Sequence, residues 1–113
     1  MSQIRRFGQL IRVRPEAVAA YEKLHAEPWP AVLAAIRRAR IRNYSIYRHN
    51  ELLFGYYEYT GDDYAADMAA MAADPSVQAW WALTDAMQEP FPEREAGSWW
   101  LDLPEIFHAD SPA

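Results

Sequence analysis

The sequence predicts an α+β fold: an antiparallel sheet with helices on one face, built in the order strand, helix, strand, strand, helix, strand. Three observations carry that prediction. Period-two alternation marks residues 4–13, 41–48 and 52–59 as strands. Helical spacing fills 15–39 and 63–87, between the first and second strands and after the third. The short link His49-Asn50-Glu51 leaves the two middle strands no choice but a hairpin.

The first strand, residues 4–13, puts Phe7, Ile11 and Val13 on one parity and Arg6, Leu10 and Arg12 on the other. Pro15 suits the first turn of a helix, where its missing N–H costs nothing. Val18, Tyr21, Leu24 and His25 then follow helical spacing. Pro28 and Pro30 interrupt it, because each lacks a donor and pushes its predecessor toward extended backbone. Val32, Leu33 and Ile36 resume the pattern to about Ala39.

The second strand, 41–48, sets Tyr44 and Ile46 on one side and Tyr47 on the other. The third, Leu52 to Tyr59, is apolar or aromatic on both faces, so both are expected to be covered. Gly61-Asp62-Asp63 ends it and caps a helix bearing Tyr64, Met68 and Met71. Asp74-Pro75 opens a second helical piece to about Met87, with Val77, Trp80, Trp81 and Thr84 near one stripe. Residues 88–97, with two prolines and a glycine, read as a loop. Ser98 to Leu103 reads as the last strand, Pro104 breaks it, and the tail from Asp110 to Ala113 is expected to fray. This βαββαβ order is the ferredoxin-like, dimeric α+β barrel type. A sheet covered by helices on one face leaves the other open, so a homodimer is expected to cover it.

Composition narrows function. A chain of 113 residues is one small domain with room for a core. With no cysteine, it offers neither disulfide nor thiolate, which suits a reducing compartment. No apolar run approaches the ~20 residues of a membrane span, and the first residues lack the apolar centre of a signal peptide; the cytoplasm is the expected location. A net charge of −5 argues against nucleic acid despite the basic cluster Arg37, Arg38, Arg40 and Arg42. The four glycines are scattered, no GxSxG or HExxH occurs, and no two histidines stand at ligand spacing, so neither cofactor nor metal is expected.

What remains is aromatic and histidine chemistry. Tyr21 and His25, four apart on a helix, share a face. An imidazole can donate or accept near neutral pH, yet a lone histidine on an amphipathic helix is as readily a surface residue. Trp80 and Trp81 point about 100° apart, so one can pack inward while the other offers a ring to a sugar. Trp99 and Trp100 split between strand faces, with core and dimer interface the expected uses. Glu58, alone in an aromatic strand, is either an ion-pair partner of Arg6 or Arg12 or a candidate base.

These residues in this order resemble the L-rhamnose mutarotase family, from about residue 4 to 108. The resemblance rests on Tyr21-Glu22-Lys23-Leu24-His25-Ala26-Glu27-Pro28-Trp29-Pro30, Asn43-Tyr44-Ser45-Ile46-Tyr47, Leu52-Leu53-Phe54 with Glu58, Trp80-Trp81, and Ile106-Phe107-His108. Residues 88–97 and Trp99-Trp100 lie outside those motifs. The resemblance implies a dimeric enzyme that interconverts α and β anomers of a 6-deoxyhexose without cofactor. It implies His25 as proton donor and Tyr21, Tyr44, Trp80 and Trp81 as the sugar site. L-Fucose is the alternative substrate. A non-catalytic small-molecule-binding dimer and a monooxygenase-like α+β barrel are the competing readings.

Overall fold

The computed structural model describes residues 4–110, and the expected frayed tail lies outside them beyond Asp110. Strand β1 (Arg5–Val13) lies between β3 (Leu52–Tyr59) on one side and β4 (Gln88–Glu89) and β5 (Leu101–Leu103) on the other. With β2 (Ile41–His49) beyond β3, the order is β2-β3-β1-β4, all pairs antiparallel. Four helices connect them: α1 (Val18–Ala26), α2 (Pro30–Arg38), α3 (Tyr64–Ala72) and α4 (Pro75–Met87).

The alternation seen in sequence decides which face they cover. Ile11, Val13 and Leu53 pack with Tyr21 and Val18 of α1 and Met87 of α4. Phe7, Ile41 and Tyr57 pack with Ile36 of α2 and Tyr64, Met68 and Met71 of α3. The side chains between them in β1 and β3, among them Leu10, Leu52, Phe54 and Glu58, therefore point to the far face. In the single chain that far face is uncovered; it is the open face for which the sequence reading expects a partner copy.

Helix starts follow the expected chemistry. The Asp63 carboxylate accepts the Ala66 N–H at 3.1 Å, and that of Asp74 accepts the Ser76 N–H at 2.8 Å. Such caps contribute about 1 kcal/mol each. Trp29 is extended ahead of α2, and Pro30 occupies its first turn.

The last third corrects the sequence reading. The expected loop 88–97 begins with a strand, since Val13 pairs with Gln88 and Arg12 with Glu89. The expected strand 98–103 starts only at Leu101, which pairs with Leu10. The fourth ferredoxin-like strand is thus split, with residues 91–100 looped out where β1 has no interruption. Pro90 and Pro92, which lack a ladder donor, explain why pairing stops there. Trp100 folds back so that its ring covers Gly55, where an added Cβ would come within 3.1 Å of Cζ3.

Candidate active site

The site is built outward from α1. Tyr21 and His25 stack with ring centroids 4.2 Å apart, as their spacing predicts. The His25 Nδ1 lies 2.8 Å from the Tyr21 backbone carbonyl. A carbonyl only accepts, so Nδ1 is assigned the hydrogen and the neutral ring carries its lone pair on Nε2. Burial lowers the His25 pKa, and the bond to the Tyr21 carbonyl partly opposes that shift. Near neutrality this imidazole is uncharged and ready to accept a proton at Nε2.

The proline break supplies the next wall. It ends α1 at Ala26, the residue after His25, and throws Trp29 across to α4, where its indole meets Trp80 edge-on at 5.2 Å. Trp80 in turn presents its edge to His25, also at 5.2 Å. Pairs of this kind contribute about 0.5–1.5 kcal/mol beyond burial, so the imidazole is held by three rings or ring edges in series. The adjacent tryptophans divide as their 100° offset requires: Trp80 is 8 % exposed and Trp81 38 %. Among the described residues, the Trp81 indole joins none of the aromatic contacts around His25.

Tyr44 reaches this face through a bulge. Asn43 and Tyr44 together oppose Tyr57, and Asn43 has a φ of +53°, a conformation asparagine tolerates better than most residues. The extra residue resets the alternation, so Ile41, Tyr44 and Ile46 all turn toward the helices. Tyr44 tilts against Tyr57 at 5.5 Å. Burial, with help from the nearby Tyr64 phenol, pushes its pKa up to about 12. The Tyr21 phenol is also pushed up, chiefly by burial; a bond from Gln88 opposes this and the proximity of Tyr44 adds to it. Both phenols stay protonated and serve as hydrogen-bonding groups rather than as acids.

Glu58 does not join them. It lies on the far face of β3, accepting from Asn43 Nδ2 at 2.8 Å and from the Tyr56 hydroxyl at 2.7 Å. Those two bonds hold its pKa low. Arg6 sits across the ladder from Glu58 and adds to that lowering, but its ion pair is with Glu105, and that of Arg12 is with Glu89. Within one chain, a base at Glu58 would have to act on the His25 site through the sheet. His49 ends β2, and His108 bonds Asp110 at 3.0 Å.

Spacing does not single out Gln88 and Trp99. The buried Gln88 amide donates to the Tyr21 hydroxyl at 3.0 Å and accepts from the Trp99 indole at 2.8 Å. Trp99 thus lies ahead of β5 rather than in the expected strand, and its indole serves Gln88. A polar residue between two aromatic runs was the one available signal. Among the described residues, no group of three or more His, Cys, Asp or Glu side chains is placed to hold a metal ion, and no helix is long and apolar enough to cross a membrane.

Comparison with known proteins gives a consistent picture. The family model described as L-rhamnose mutarotase matches residues 6–109. The L-rhamnose mutarotase of Ligilactobacillus salivarius is 33 % identical over 110 residues, covering 93 % of this chain and 97 % of the relative. The L-fucose mutarotase of Xanthomonas campestris pv. campestris is 36 % identical over 94 residues, covering 80 % of this chain and 74 % of the relative. The crystal structure of an L-rhamnose mutarotase from Formosa agariphila superposes with a TM-score of 0.73 over 94 % of this chain and 99 % of that one, at 19 % identity, and so supports the fold.

Proposed function

The chain belongs to the L-rhamnose mutarotase family, and we propose that it interconverts the α and β anomers of a 6-deoxyhexose, L-rhamnose in the first instance. It is an isomerase that opens the pyranose to the aldehyde and closes it on the other face of the carbonyl. The observation that carries the reading is the His25 imidazole, fixed through Nδ1 on the Tyr21 carbonyl and walled by Tyr21 and Trp80.

Ring opening requires that the anomeric hydroxyl lose a proton and the ring oxygen gain one. Both oxygens sit on the same carbon, so one proton-carrying atom can serve both. Neutral His25 takes the anomeric proton at Nε2. The resulting imidazolium, a stronger acid than a free imidazolium because its pKa is lowered, donates that proton to the ring oxygen as the C–O bond breaks. Closure runs the same steps in reverse after the carbonyl turns. His25 is then the proton donor the family resemblance implies, and no carboxylate base is needed. The Tyr21 and Tyr44 hydroxyls hold sugar oxygens, and the Trp80 and Trp81 rings meet its C–H face and methyl group.

The test is anomer exchange, followed by NMR on L-rhamnose and L-fucose with the parent protein and His25→Ala. The parent is expected to raise the exchange rate, and His25→Ala to lose that gain while keeping its fold. No acceleration with either sugar would leave the non-catalytic binding reading in its place. The L-fucose relative makes L-fucose the second substrate to try. We also propose that the enzyme works in the cytoplasm as a homodimer joined through the far face of the sheet.

A further inference from the structure

We infer that Gln88 is a positioning residue of this site: locked by the Trp99 indole, its amide aims the Tyr21 hydroxyl hydrogen at the substrate. The inference rests on the reading of Tyr21 as a sugar contact.

Hydrogen-bond polarity fixes the orientation of the Gln88 amide. An indole N–H can only donate, and the Trp99 Nε1 donates to Gln88 Oε1 at 2.8 Å. With its oxygen so engaged, the amide must turn its NH₂ group the other way, and Nε2 donates to the Tyr21 hydroxyl oxygen at 3.0 Å. Gln88 as a residue is 3 % exposed, so bulk water has little access to either bond. The Tyr21 oxygen is thereby an acceptor toward Gln88, and its own hydrogen must go elsewhere. Among the described residues, that hydrogen is donated to no protein acceptor. A buried hydroxyl hydrogen without an acceptor is unfavourable, and a sugar oxygen supplies what is missing.

Were the amide turned around, Gln88 Oε1 would accept the Tyr21 hydrogen and withdraw it from the substrate, while two donors would face each other at Trp99. Trp99 forbids that state. It sits in the stretch 91–100 that is looped out of the split fourth strand, which gives the loop a role in the site. The Tyr21 ring also stacks on His25, so the fixed phenol steadies the imidazole as well.

Gln88→Glu separates positioning from structure, since a carboxylate keeps the volume and can accept from both Trp99 and Tyr21. At alkaline pH, where the buried carboxyl is ionised and cannot donate to Tyr21 as a protonated acid would, replacing a Gln88 that only filled space would leave KM unchanged. The inference expects the reverse polarity to raise KM for the sugar about tenfold, with a matching rise in the Kd read from tryptophan fluorescence and an unchanged circular dichroism spectrum. Trp99→Phe, which frees the amide to turn, should move KM the same way by a smaller factor. In a Tyr21→Phe background the Gln88→Glu effect should vanish, because the hydroxyl it acts through is gone. A folded Gln88→Glu protein with KM and Kd within twofold of the parent, or an effect that persists in Tyr21→Phe, overturns the inference. A parent that neither exchanges nor binds the sugar removes the reading of Tyr21 and the inference together.

Discussion

His25 holds the backbone carbonyl of Tyr21 through Nδ1 at 2.8 Å while its ring stacks on the Tyr21 phenol. One residue thus sets both the tautomer and the tilt of the imidazole four positions later. This coupling needs only a helix turn, and it leaves Nε2 as the one titrating atom of His25 that can meet a ligand. The pH behaviour of the protein follows from it.

Burial lowers the His25 pKa below the ordinary imidazole value of ~6.5, so the ring is neutral at and above neutrality. Exchange that begins with proton uptake at Nε2 should be flat above pH 7 and fall only on the acid side, at a pH below ~6.5. Stability moves in the same sense. The unfolded chain binds this proton more readily than the folded one, so the His25 contribution is complete above the unfolded pKa and is lost as pH falls through the folded one. Rate profiles beside thermal melts of parent and His25→Gln check both; a parent whose rate rises toward acid beyond the background reaction contradicts the neutral-imidazole step.

Trp80 and Trp81 should answer truncation differently. Trp80 is buried and supports both Trp29 and His25, so Trp80→Ala is expected to cost about 3–5 kcal/mol of stability and drag activity down with it. Trp81 is partly exposed, and Trp81→Ala should cost at most about 1 kcal/mol while weakening sugar binding. Denaturant titration and fluorescence binding of the two variants distinguish them. Equal losses of stability would show that Trp81 belongs to the core.

Much of this was legible because its causes are local. The Tyr21–His25 pairing, the Asp63 and Asp74 caps and the Trp80–Trp81 division all follow from spacing within one helix or at its start. The split fourth strand was not legible, since pairing of Gln88 with Val13 depends on partners far away in the chain. Nor was the Gln88 bridge, whose ends lie at Tyr21 and Trp99. Glu58 misled for a third reason. Its isolation in an aromatic strand was real, but face assignment required knowing which parity of β3 the helices cover.

Glu58→Gln tests that face assignment. The carboxylate bonds Asn43 and Tyr56 on the far side of the sheet from His25, so anomer exchange should stay within about twofold of the parent. The amide retains an acceptor for either neighbour and a similar size. Loss of exchange by a factor of ten or more in a folded Glu58→Gln protein would return it to the mechanism.

The far face argues for a second copy of the chain. Leu10, Leu52, Phe54 and Tyr56 share it by strand parity, with Tyr47 across from Phe54 at a ring separation of 6.4 Å and Leu101 and Leu103 on the next strand. Tyr47 is 64 % exposed, and Ile106 and Phe107 just beyond β5 are 94 % and 80 % exposed. A contiguous apolar sheet face of this kind is uncommon on a monomer, and its charged residues, such as Arg6, Glu58 and Glu105, are already satisfied within the chain. Phe54→Asp places an unpaired carboxylate near the middle of that face, where burial against a partner is strongly disfavoured. Light scattering after size exclusion should then give the mass of one chain for Phe54→Asp and of two for the parent. The exposed position of Phe54 means the fold itself should survive. A parent of single-chain mass at micromolar concentration would sink the dimer reading.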